Sequence, residues 1–234
     1  METRYRLHYA PDNASIIVRM ALEALGQPYE TVLVDRSTQA QRSANYLAIT
    51  PTGLIPTLET PRGAIFETGA ILLWLADTHG ALAPAPEAPE RAQFLKWLFY
   101  VSNTLHTELR MTFYPRQYVG EEHTTQSALR QQVRANLVRA LDLLDELAAR
   151  GPGWFNGPHP GLMDYYVGAC LRWMAIYPVM NTAWFDIART PHLHLLAQHL
   201  DKDAAAYTVA QAEGLGPTPF SAPHLPQPSE GSAT

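Results

Sequence analysis

Polar side chains able to hold an anion gather at the starts of two helices in this sequence. Asn13 and Ser15 flank Ala14, directly after a Pro11-Asp12-Asn13 turn and before an apolar run of helical period. Each has a side-chain oxygen suited to a helix's first turn, where unpaired N–H groups and the dipole favour a cap or a negative charge. Tyr9, at the end of the preceding strand, adds a phenolic hydroxyl. Glu67-Thr68 opens a second helix, and the Thr68 hydroxyl with the free first-turn N–H groups forms an anion site. Capping and anion binding use the same geometry there. Ile55-Pro56 stands just before a strand, where proline cannot sit inside a ladder, and reads as a turn. His106 is a lone helical histidine able to donate, accept or line a pocket. Cys170, the single cysteine, excludes an internal disulfide and Cys-x-x-Cys redox or zinc motifs, and no metal is expected.

Composition narrows the classes further. The chain has 234 residues, is 47% hydrophobic and carries a formal net charge of −5. No basic stripe stands out, which argues against a nucleic-acid partner. No apolar run is long enough to span a membrane, and Met1–Arg6 is followed by no apolar signal segment. A cytoplasmic protein is expected.

The elements that position these residues fall into two groups. Tyr5–Tyr9 and Tyr29–Val34 read as strands, Ser15–Leu25 as an amphipathic helix ended by Gly26, and Gln39–Leu47 as a weaker helix. Pro56–Glu59, a Pro61-Arg62-Gly63 turn and Ala64–Phe66 read as a hairpin, followed by a helix over Thr68–Thr78. The order βαβ then ββα predicts a mixed sheet with helices on both faces. Residues 81–89, rich in proline, read as a linker after a first domain of residues 1–80. Helices are then predicted over Glu90–Tyr114, Thr124–Arg150, Leu162–Tyr177, His192–Leu200 and Ala204–Glu213, giving an all-helical domain over residues 90–215. Leu162–Tyr177 is apolar nearly all round, as a helix central to a bundle should be. Residues 216–234 form a Pro/Ser-rich tail, expected to be pinned locally at most, for example by Phe220.

This arrangement resembles the cytosolic glutathione S-transferases: a thioredoxin-like domain followed by a helical bundle. The resemblance is carried by Thr50-Pro51-Thr52-Gly53-Leu54-Ile55-Pro56-Thr57-Leu58, Phe66-Glu67-Thr68-Gly69-Ala70-Ile71, Gly161-Leu162-Met163-Asp164-Tyr165-Tyr166 and Ala212-Glu213-Gly214-Leu215. Trp97-Leu98 and Leu105-His106 are similar to the bacterial beta class. The resemblance implies a cis Ile55-Pro56 bond, with the Ile55 backbone pairing with glutathione, and Glu67 and Thr68 holding its γ-glutamyl end. It implies a homodimer, and a second-substrate pocket walled by His106, Arg110, Tyr114, Trp173 and Tyr177. Asp164 is implied to be a folding residue that caps the buried helix, with Gly161 in the place of the usual Ser or Thr.

The sequence departs from the beta class where the chemistry matters. Ala14 occupies the position of that class's active-site cysteine and can donate nothing. Ser15, Asn13 and Tyr9 are the three candidates for activating the thiol, and the choice among them is open. Leu54, Phe99 and Thr104 replace polar contacts of the class. The leading expectation is a glutathione transferase that activates the glutathione thiolate for attack on a small hydrophobic electrophile. The alternatives are a non-catalytic glutathione- or ligand-binding protein, and a glutathione-dependent disulfide reductase or peroxidase.

Overall fold

The structure, a computed structural model, describes residues 5–179 and 181–227. Its first half runs β1 (Tyr5–Tyr9), α1 (Ser15–Ala24), β2 (Tyr29–Leu33), α2 (Ala44–Ile49), β3 (Thr57–Thr60), β4 (Gly63–Phe66) and α3 (Thr68–His79). The sheet order is β2-β1-β3-β4; β1 and β2 are parallel, and the other two pairings are antiparallel. Alternation along β1 sends Tyr5 and Leu7 into the core beneath α1 and α3, where Tyr5 meets Trp74 edge-on. His8 points to the other face, 5.5 Å from the ring of Tyr46 on α2. Helices therefore cover both faces, as the element order predicts.

The weak helix predicted over Gln39–Leu47 is two pieces. A 3₁₀ turn, Ala40–Arg42, is followed by α2, whose N-terminus is capped where the Ser43 hydroxyl accepts from Tyr46 N at 3.2 Å.

Neither helix nor strand lies between His79 and Arg91. The second half is helical: α4 (Arg91–Tyr100), α5 (His106–Phe113), α6 (Arg116–Val119), α7 (His123–Arg150), α8 (Leu162–Ile176), α9 (Pro191–Leu200) and α10 (Ala204–Ala212). A π-helical turn over Val101–Leu105 joins α4 to α5 and interrupts the single helix predicted for this region. Its extra residue per turn rotates everything after it, including His106 and Arg110.

Every residue from Leu162 to Met174 of α8 is buried, so α8 sits at the centre, as its all-round apolarity predicts. At its start, Gly161 N and Asn156 N donate to the two oxygens of Asp164 at 2.8 and 2.7 Å. That makes Asp164 a folding residue, and burial pushes its pKa up to about 6.

α1 packs on α3 and also on α8 and α10, so one core runs through both halves. The tail is held more firmly than the sequence suggests. Phe220 is buried, Asp201 accepts from Phe220 N at 2.8 Å, and Gln227 N donates to Gly214 O at 2.8 Å. Residues 228–234 of that tail lie outside the described residues.

Candidate functional site

An open cleft of about 240 Å³ lies between the sheet-containing half and the helical half. Asn13, Ala14, Ile55, Pro56, Glu67 and Thr68 line it from the first half. Ser102, His106, Arg110, Tyr114, Tyr166 and Trp173 line it from the second. Nine of these side chains were singled out in the sequence as site candidates, and the fold brings them together across more than a hundred residues of chain.

Two candidates for the thiol-activating role do not reach this cleft. Ser15 is fully buried; its hydroxyl donates to Ala10 O at 3.1 Å and accepts from Ala10 N at 3.3 Å. It closes the β1–α1 turn from inside. Tyr9 shares the core-facing side of β1 with Tyr5 and Leu7, so its ring lies under the Arg19 guanidinium, 5.5 Å away. Asn13 alone of the three lines the cleft. Its Oδ1 accepts from Ala14 N at 2.8 Å, which fixes the amide orientation and leaves the Nδ2 donor for a ligand.

The opposite edge is built from the β3 entrance and the start of α3. Ile55-Pro56 is cis. Gly53 has φ +62°, and a Cβ there would lie 2.8 Å from Gln41 O, so only glycine fits this turn. Glu67 also has a positive φ, 73°, unusual for a residue with a side chain and placed right at the cleft. The Glu67 carboxylate is exposed and in no ion pair among the described residues, while Thr68 is buried behind it.

In the helical wall, His106 Nδ1 lies 3.0 Å from the Tyr166 hydroxyl, and its ring is 5.4 Å from that of Trp173. Burial, and then the charge of Arg110, push the His106 pKa down to about 4, so the imidazole is neutral at physiological pH. Burial also pushes the Tyr166 phenol up, so it keeps its proton; Ser102 hydrogen-bonds to it. Tyr166 belongs to a motif quoted for the fold, and nothing in the sequence marked it as part of the cleft. Arg36 donates to the Tyr114 hydroxyl at 2.8 Å, joining the loop after β2 to the end of α5. Tyr177 lies outside the lining of the cleft and turns its hydroxyl to Asp12 instead.

No sequence motif marks Asp12 and Arg172 as a pair. Asp12, with φ 51°, is fully buried and receives donors from Arg172, Trp173 and Tyr177. Its own N–H donates to Glu213 at 2.9 Å, and Glu213 pairs with Arg19 at 3.1 Å. Burial pushes the Glu213 pKa up to about 7. Among the described residues no cluster of three or more His, Cys, Asp and Glu could hold a metal ion. None of their helices is long and apolar enough to cross a membrane.

A thioredoxin-like sheet domain joined to a helical bundle, with a polar cleft at the joint, defines the class. Residues 7–86 match the glutathione S-transferase N-terminal domain and residues 127–199 the glutathione S-transferase C-terminal domain. The chain carries the fold of the cytosolic glutathione S-transferase superfamily, with a single, buried cysteine. It is 27% identical to glutathione S-transferase GST-4.5 of Xanthomonas campestris over 212 residues, 90% of this chain and 99% of that one. It is 26% identical to the disulfide-bond oxidoreductase YfcG of Escherichia coli over 201 residues, 79% of this chain and 89% of that one. Among solved structures, a Sulfitobacter glutathione transferase homologue with bound glutathione superposes with a TM-score of 0.77 at 25% identity, covering 90% of this chain and 98% of that one. A sphingomonad glutathione S-transferase complexed with glutathione gives 0.72 at 27%, covering 90% and 100%.

Proposed function

We propose that the protein binds glutathione in this cleft and promotes attack of its thiolate on a small hydrophobic electrophile held against the helical wall. The observation that carries the reading is the convergence of Asn13, Ile55-Pro56 and Thr68 on one cleft facing His106 and Trp173. Thr68 and the α3 N-terminus suit the γ-glutamyl carboxylate, and the exposed Glu67 suits the adjacent ammonium. Ile55 offers its backbone to the peptide. Relatives of the same fold are solved with glutathione bound, which supports the choice of ligand.

A free thiol with a pKa of about 8.5 is mostly protonated at neutral pH, so the site must favour the thiolate. With Ala14 inert and Ser15 turned inward, Asn13 Nδ2 at the α1 N-terminus is the donor for the sulfur. Neutral His106, with Nδ1 paired to Tyr166, presents Nε2 as a second donor. The rest of the catalysis is placement of two reactants side by side. The same reading includes a first domain over residues 1–80, a helical domain over residues 90–215, a homodimer and a cytoplasmic location.

Retention on immobilised glutathione, followed by conjugation of chlorodinitrobenzene, tests the proposal. Absence of binding at millimolar glutathione sinks it. Disulfide exchange is the second reading, favoured by the likeness to a disulfide-bond oxidoreductase. Cys170 is fully buried and its pKa is pushed up, so both sulfurs would have to come from bound glutathione. Turnover confined to mixed disulfides or hydroperoxides selects that reading, and binding without turnover selects a non-catalytic role.

A further inference from the structure

We propose that the helical wall of the cleft selects acceptors bearing an anionic group, with Arg110 as the residue that receives it; this rests on the glutathione-transferring function above. Among the described residues the cleft is lined by three arginines, Arg36, Arg42 and Arg110, and one carboxylate, Glu67, in a chain whose formal net charge is −5. Its local sign is thus opposite to that of the whole protein, and a cleft of one sign concentrates ligands of the other.

Arg36 and Arg42 belong to the first half, on the side assigned to glutathione. Arg110 belongs to α5, on the acceptor side, one turn beyond His106. It is half-buried and in no ion pair among the described residues, and its one hydrogen bond to a side chain there is a long one, 3.5 Å, to Gln117. The acid on the same helix, Glu108, turns instead to Asn136 on α7, at 2.9 Å. A planar guanidinium without a carboxylate partner among the described residues, in a cleft that Trp173 and Tyr114 also line, matches an aromatic or conjugated acceptor that brings its own carboxylate or sulfonate.

The test uses two acceptors that differ in one group, chloronitrobenzoate and chloronitrobenzamide. In each the glutathione sulfur forms a bond to the ring carbon, chloride leaves with the carbon–chlorine electron pair, and the thiol proton passes to solvent. The readout is the ratio of kcat/KM for the benzoate to that for the benzamide. Arg110→Gln is expected to lower this ratio about 10- to 100-fold, the size of a charge-assisted hydrogen bond, and Arg110→Lys to restore part of it. A ratio unchanged within about twofold overturns the proposal. So does an equal fall for both acceptors with a raised pKa of the bound thiol, which would make Arg110 a stabiliser of the thiolate.

If the wild type binds glutathione but turns over neither acceptor, calorimetric binding of chloronitrobenzoate to the glutathione-loaded protein replaces the rates. Equal affinity in wild type and Arg110→Gln then overturns the proposal. Failure of the wild type to bind glutathione refutes the proposed function instead. Arg110 is in that case judged by benzoate binding to the protein alone, with the same loss expected and the same equality overturning it.

Discussion

Arg172 grips Asp12 with two parallel hydrogen bonds, Nε to Oδ1 at 2.8 Å and Nη2 to Oδ2 at 2.9 Å, and both side chains are wholly buried. Trp173 Nε1 and Tyr177 Oη complete the carboxylate's shell at 3.1 and 2.7 Å. Arg172 also donates from Nη1 to Pro219 O and from Nη2 to His224 O in the tail, at 3.0 and 2.9 Å. One ion pair therefore ties the β1–α1 turn to the central helix and to the C-terminal segment. Asp12 immediately precedes Asn13, so this pair also sets where the proposed thiol donor stands.

Breaking that pair from either side leaves an unpaired charge inside the protein. Asp12→Ala or Arg172→Ala is expected to destabilise folding by about 3–5 kcal/mol. Denaturant unfolding of both single variants and the double variant checks this. The double variant should be less destabilised than the sum of the two, because the orphaned charge is gone. Asp12→Asn, which keeps the size, should also weaken glutathione binding by displacing the Asn13 turn.

Asn13 and Ser15 make opposite predictions although only one residue separates them. Asn13→Ala is expected to raise the pKa of the bound thiol, visible as a shift of the pH–rate profile to higher pH and a loss of thiolate absorbance. Ser15→Ala leaves the thiol's acidity alone and lowers stability by about 1–2 kcal/mol, through its lost bonds to Ala10. An acidity effect from Ser15→Ala with none from Asn13→Ala would reverse the assignment.

His106 is held near a pKa of about 4, below the 6.5 of an ordinary histidine. Between those values the unfolded chain binds a proton that the folded chain refuses, so stability rises with pH across the window and is lost as pH falls through it. Above it the contribution is constant. His106→Gln should flatten this part of the stability–pH curve. In the wild type no step in the activity profile from His106 is expected near neutral pH, and an NMR titration midpoint close to that of a free histidine would contradict the burial.

The docked tail predicts a measurable stability contribution. Phe220 is buried, with an exposure of 1%. Phe220→Ala is expected to cost about 3–5 kcal/mol, and deleting everything after Leu215 should cost at least as much, since Arg172 loses two carbonyl partners. Thermal unfolding of both variants checks this. A tail that can be removed without lowering Tm would restore the view of it as an appendage.

Most of the fold was legible in the residues. The three-to-four spacing of Ile16, Ile17, Met20 and Ala21 reports a buried helix face, because local geometry repeats with a fixed period. The direction of single side chains was not legible in the same way. A helix turns about 100° per residue, so Ser15 and Asn13 look equally able to reach a ligand until the turn is built. The π-helical turn before His106 left no trace in an apolar pattern that fits a plain α-helix as well. Asp12 and Arg172, 160 residues apart, gave no local signal at all.

The sequence by itself determined the two-part architecture, the strands and the main helices, the proline and glycine turns, and the absence of a second cysteine. Those follow from short-range periodicity and from what each residue type can do in its own backbone. Only the tertiary structure decided that Asn13 faces the cleft while Ser15 and Tyr9 do not, and that Arg110 meets it with no carboxylate partner among the described residues. It also decided that a buried ion pair holds the turn. Each of these depends on which distant groups share a small volume, and burial there lets one charge or one hydroxyl outweigh its neighbours.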